Sequence, residues 1–294
     1  MTYDISKYTN PRYNFYNYYY IQENFSELEI KSRCNKFKEL FTQYTKNWTD
    51  ETNSQWIVRN YLATKFILAA DLLISSLEYS IKKDLLTVQP YLSYYSVFNS
   101  CRAYVLTLPN EKWSKGKIFE LTHNKIIKIT WDSLRTVNTK KADEFKEEIL
   151  KLKSIRELSS YRFPSDGINN VDSKSILSFE YICNFCGLLC EMAQLNSELL
   201  EYSFKKNAEK REYSIVEDIY WDILEYEDID AGIYFVDDED YFRLRQFHKM
   251  NGPVNIACSM RQGLIDDFFS SWESDSDEDD SNKFSPHQII FCPV

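Results

Sequence analysis

The sequence predicts a mainly α protein, an antiparallel helical bundle followed by a small acidic α+β appendage. Three observations lead there. Only 6 glycines occur in 294 residues, too few for the tight turns of a sandwich or barrel or for a glycine-rich nucleotide loop. Apolar residues recur every three or four positions over long stretches, the period of an amphipathic helix. After Lys210 the segments shorten and strand-like runs appear. This divides the chain into a Tyr/Asn-rich arm over 1–25, a bundle over 26–207 and the appendage over 208–294. A hydrophobic fraction of 44% is ample for a core at this length.

The arm carries Tyr8, Tyr13, Phe15, Tyr16, Tyr18, Tyr19 and Tyr20, with an Asn10-Pro11 turn. Two readings stand: an aromatic lid on a helical core, or a surface that stacks on nucleic acid. Few basic residues lie nearby, which weakens the second. From Ser26 to Trp48 the positions Leu28, Ile30, Cys34, Phe37, Leu40, Phe41 and Tyr44 mark one amphipathic helix. Gln55 to Leu86 reads as a longer one. Its middle, Tyr61 to Ile74, is apolar almost all round, as in a central, buried helix. Asp71 sits within that stretch and needs a donor or cation there; Arg102 is the expected partner.

Pro90 suits the first turn of the next helix. Tyr91, Tyr94, Phe98, Cys101, Val105 and Leu108 fall on one face, with Ser96, Asn99 and Arg102 as a polar stripe beside it. Thr122 is placed to cap a helix through Ile126, Ile127, Ile129 and Trp131. Ala142 to Ser160 is helical again and is stopped by Pro164 and Gly167. Lys174 to Asn207 reads as one long helix. Cys183, Cys186 and Cys190 form a core-facing thiol stripe on it, because a structural zinc site usually needs a fourth ligand and a turn between the pairs. Beyond it, 232–236, 254–258 and 288–292 are strand candidates, Met260 to Trp272 a helix, and Glu273 to Asp280 a solvated charge block.

The net charge of −10 excludes a general nucleic-acid binder, but the charge is uneven. Residues 102–156 carry 13 Lys/Arg against 7 Asp/Glu, and residues 212–294 carry 5 against 20. That pattern suggests a basic working region and an acidic accessory region. Seven scattered cysteines point to free thiols in a reducing compartment. No signal peptide and no membrane-spanning run is visible, so the expected location is cytoplasmic.

The run Tyr94-Tyr95-Ser96-Val97-Phe98-Asn99-Ser100-Cys101-Arg102-Ala103, then Thr122-His123 followed by Ile126-Ile127, then Arg156-Glu157-Leu158-Ser159-Ser160-Tyr161 resembles the motif series of small prokaryotic HEPN-domain proteins. The likeness spans roughly residues 55–205. It implies a HEPN-like helical bundle, often a homodimer, working in defence or toxin–antitoxin systems with RNA and with a cognate antitoxin or defence-complex protein as partners. Active members of that family are endoribonucleases that need no metal or other cofactor. They use an arginine and a histidine with four to six residues between them. An arginine can stabilise charge on a scissile phosphate and a histidine can move protons near neutral pH. Here Tyr161 stands where that histidine would be. A tyrosine titrates near ~10 and is a poor base at neutral pH. Five residues along a regular helix also rotate by about 140°, so Arg156 and Tyr161 meet only if the helix unwinds before Pro164.

The expected catalytic set is Arg156, Tyr161 and His123, with Arg102, Asn99 and Lys125 as RNA contacts. Simpler readings compete: His123 as a helix-start residue bonded to backbone, and Arg156 as an ordinary ion pair with Glu157. A non-catalytic interaction subunit of a defence complex is the alternative function. In the RNA-directed reading the acidic C-terminal part would act as an intramolecular decoy for RNA or as a partner-docking surface.

Overall fold

The computed structural model describes residues 3–9, 16–114, 116–165, 178–210, 212–219, 227–228, 233–234, 237–249, 252–273 and 283–292. The expected 273–280 charge block beyond its first residue, Gly167, the start of the 174–207 helix and most of the 232–236 strand lie outside them. The described chain is mainly helical and forms a bundle. In order come α1 (Tyr19–Asn24), α2 (Glu27–Thr45), α3 (Asp50–Lys82), α4 (Gln89–Leu106), α5 (His123–Arg135), α6 (Thr139–Glu157) and α7 (Phe179–Asn207). Two-residue strands β1 (Glu227–Asp228) and β2 (Ile233–Tyr234) pair antiparallel. Helices α8 (Asp238–His248), α9 (Ile256–Ser259) and α10 (Gln262–Ser270) follow.

Local chemistry accounts for the helix starts. Ser26 opens α2 with a capping box: its Oγ takes the Glu29 N–H, and the Glu29 carboxylate takes the Ser26 N–H at 2.7 Å. Thr49 caps α3 and Asn138 caps α6 by accepting the N–H three residues on. Pro90 lies in the first turn of α4. Thr122 stands before α5, but its side chain makes no capping bond.

Helix α3 is the axis of the bundle and packs along α4, which also touches α5, α6 and α7. The end of α4 is closed by a buried cation. Arg59 of α3 donates from Nε to the Leu106 carbonyl (2.6 Å), from Nη2 to Leu108 (2.7 Å) and from Nη1 to Glu111 (2.9 Å). These are carbonyls at and just beyond the end of α4, where the helix itself offers few donors.

Asp71 is buried as expected, but its partner differs. Its Oδ1 accepts the backbone N–H groups of Ile289 (2.6 Å) and Ile290 (3.0 Å), while the Arg102 guanidinium lies 4.0 Å from the Phe66 ring centre. A segment without a strand neighbour needs acceptors for its own amides, and the carboxylate supplies one. The 288–292 stretch is therefore not a strand: its Ile289 and Ile290 amides bond a side chain. The 254–258 run is also not a strand. Asn255 caps the short helix α9 by accepting the Cys258 N–H at 3.1 Å. A third departure is α8, which was not anticipated although Asp237 and Asp240 form a capping box.

The C-terminal segments rest on α3: Asn60 donates to the Val254 carbonyl, Tyr61 bonds Asp240, and Lys65 pairs with Asp240. The arm closes over α7. Glu191 accepts the Ile21 N–H at 2.7 Å, and Tyr16 stacks on Phe291 with ring centres 4.8 Å apart. For Tyr16 and Tyr18, both buried, the aromatic-lid reading holds. Cys186 and Cys190 are buried in α7 and Cys183 is half-buried.

Candidate functional site

The candidate site forms where α4, the start of α5 and the end of α6 meet. Helix α4 presents Tyr94, Tyr95 and Phe98 within one turn. His123, the first residue of α5, lies on them: its ring centre is 4.1 Å from Phe98 and 5.7 Å from Tyr94, both stacked. Its Nδ1 is 2.7 Å from the Tyr94 hydroxyl. The simpler expectation for His123, a bond to backbone, is replaced by this side-chain contact.

Arg156, in the last turn of α6, is buried. Its guanidinium carbon lies 5.2 Å from the Tyr94 ring centre, 5.7 Å from Tyr95 and 5.7 Å from Tyr161, cation–π distances. Nη1 approaches the Tyr161 hydroxyl at 3.4 Å, and Nη2 is 3.9 Å from Glu157. The Nε is buried and finds no hydrogen-bond partner among the described residues. The ion pair with Glu157 thus exists, but it is long and leaves donors unused.

Tyr161 reaches Arg156 because α6 does not continue as an α-helix. Leu158–Arg162 is a π-helical turn, and the Phe163 N–H bonds the Leu158 carbonyl at 3.0 Å, five residues back. In that geometry residues five apart lie nearly above one another. The convergence that regular helix rotation denies is supplied by one wide turn ending before Pro164. Phe163 leaves it with φ 38°.

Electrostatics favour a neutral imidazole. Partial burial lowers the His123 pKa from its ordinary value, and Arg156, Lys153 and Arg102 lower it further, with Glu157 opposing. Burial holds the Tyr94 phenol well above its usual range, so it stays protonated. The Nδ1–Tyr94 contact fits either tautomer; in the one where Nδ1–H donates to Tyr94, Nε2 is left as a base, and among the described residues no hydrogen bond occupies it.

The structure thus brings Arg156, Tyr161 and His123 together, and Arg102 acts on His123 through its charge. Lys125 is exposed and Asn99 half-buried; no hydrogen bond links either to the cluster among the described residues. The sequence reading missed Tyr94 as the hub and Lys153 as a neighbour, whose Nζ donates to Asn124 at 2.7 Å. The Tyr-Tyr pair was visible, but not which ring faced the histidine. No described helix is long and apolar enough to cross a membrane. No family model, curated protein or solved structure matches the sequence.

Proposed function

We propose that the chain is a HEPN-like endoribonuclease of a prokaryotic defence or toxin–antitoxin system. The observation that carries this reading is the convergence of His123, Arg156 and Tyr161 around Tyr94. His123 takes the proton of a ribose 2′-hydroxyl through Nε2. The 2′-oxygen bonds to the adjacent phosphorus as the bond to the 5′-oxygen breaks, giving a 2′,3′-cyclic phosphate and a 5′-hydroxyl end. Arg156 stabilises the added negative charge on the phosphoryl oxygens through its guanidinium charge. Tyr161, exposed and bonded to Arg156, is the group this reading assigns to protonate the leaving 5′-oxygen.

The test is cleavage of total RNA with chelator present. Wild type should produce cyclic-phosphate ends, while Arg156→Ala and His123→Gln should lose about 100-fold or more in rate. Tyr161→Phe should lose about tenfold. Intact RNA with folded wild type, together with a stably co-purifying partner protein, would favour the non-catalytic interaction subunit instead.

A further inference from the structure

The wide turn that closes the site also carries two of the most exposed aromatic rings among the described residues. Tyr161 is 77% exposed and Phe163 72% exposed. Neither ring adds much to the core at that exposure. Phe163 also sits in the left-handed region, φ 38° and ψ 72°, which is uncommon for a bulky residue. The following Pro164 steers its neighbour toward extended backbone, so the conformation is doubly unfavourable. The fold thus holds an outward-facing ring at a cost that a glycine would relieve. Cations flank the pair: Arg162 between them is exposed, Arg156 bonds Tyr161, and Lys153 lies near His123.

Exposed rings interleaved with cations are what unpaired bases on a phosphate chain require: faces to stack on and charges to track the backbone. We infer that Tyr161 and Phe163 form a base-stacking subsite for single-stranded RNA beside the scissile position, with Arg162 contacting phosphate. The subsite rests on the reading of RNA as substrate and adds its class: unpaired strands bound with little sequence preference. A duplex, whose base faces are hidden, would not use it.

Binding is measured on the full chain with a short 2′-O-methyl oligoribonucleotide containing 2-aminopurine. This probe lacks the 2′-hydroxyl nucleophile, so affinity is read apart from cleavage. Wild type should bind and quench the probe. Phe163→Tyr should stay within about twofold, and Phe163→Leu should lose about tenfold in affinity along with the quenching. Arg162→Gln should instead lower the salt dependence by about one phosphate contact. Phe163→Gly should weaken binding while leaving the melting temperature unchanged or higher, a combination that lost folding would not give. Equal affinity of Phe163→Leu and wild type would overturn the subsite. So would failure of wild type to bind the probe, or a loss of self-association in Phe163→Leu at constant RNA affinity, which would make the patch a protein interface. Probe binding as described without cleavage of natural RNA would overturn the nuclease reading alone.

Discussion

Arg59 and Arg156 are both buried arginines in helices, yet their surroundings differ in kind. Arg59 spends its donors on three backbone carbonyls at 2.6–2.9 Å and stacks on Trp56 at 3.9 Å. Burial lowers its pKa to about 10. Arg156 is ringed by aromatic faces, reaches Tyr161 at 3.4 Å and leaves Nε unpaired. Asp71 and Glu191 belong with Arg59, since each carboxylate grips backbone N–H groups. His123 belongs with Arg156, since its bond is to another side chain. Buried charges that satisfy backbone hold the fold in place. Arg156 and His123 instead partner each other's side-chain neighbours, Tyr94 and Tyr161, and that difference in partner separates frame from site here.

The largest test of the contrast is Arg59→Met. Three carbonyls would lose their donors, and denaturant unfolding should show a loss of about 3–5 kcal/mol. Arg156→Met should cost less than about 1 kcal/mol, because an under-satisfied buried cation adds little net stability, while RNA cleavage falls about 100- to 1000-fold. If the two variants swap these outcomes, the division between frame and site fails.

A second test uses pH. Burial raises the carboxyl pKa of Asp71 to about 7 and that of Glu191 to about 7, against backbone hydrogen bonds that pull the other way. The unfolded values are near 4, so between these limits the native state binds more protons than the unfolded chain. Stability is then full at low pH and is lost as pH rises through 7, by up to about 3–4 kcal/mol for each of the two carboxyls. Melting curves from pH 5 to pH 8 should therefore fall in wild type, fall about half as steeply in Asp71→Asn, and flatten when Glu191→Gln is added to it. A rise across that range would mean the amide bonds outweigh burial.

The smallest effect should come from Tyr94→Phe. It keeps the ring under Arg156 and His123 and deletes one hydrogen bond. Cleavage should drop about threefold to tenfold, the worth of a single bond, with unfolding within about 1 kcal/mol of wild type. No change in rate would remove Tyr94 as the residue that positions His123.

Much of the frame was legible because periodicity reports on helix faces. The α2, α3, α4 and α7 stretches were found within a few residues, and the buried position of Asp71 followed from its apolar neighbours. Its partner did not, because backbone amides 218 residues away carry no side-chain signature. Val254 to Cys258 has strand-like composition, and one capping asparagine decided otherwise. At the site, residue types were readable but the π-turn was not. Nothing in Leu158 to Arg162 announces a wider helix, so the meeting of Arg156 with Tyr161 could be stated only as a condition. His123 reached Tyr94 through tertiary packing, which spacing does not encode.

The stack of Tyr16 on Phe291 joins positions 275 residues apart, and Asp71 and Glu191 anchor the segments on either side of it. During translation, every helix of the bundle can leave the ribosome before this closure is possible. A nascent chain stalled short of residue 289 would hold Tyr16 without its stacking partner and Asp71 without the two amides that bond it. Emergence of the 289–291 segment would then close the arm after the helices have formed, and a chain cut before Ile289 would differ from one that includes it in protease sensitivity at the arm.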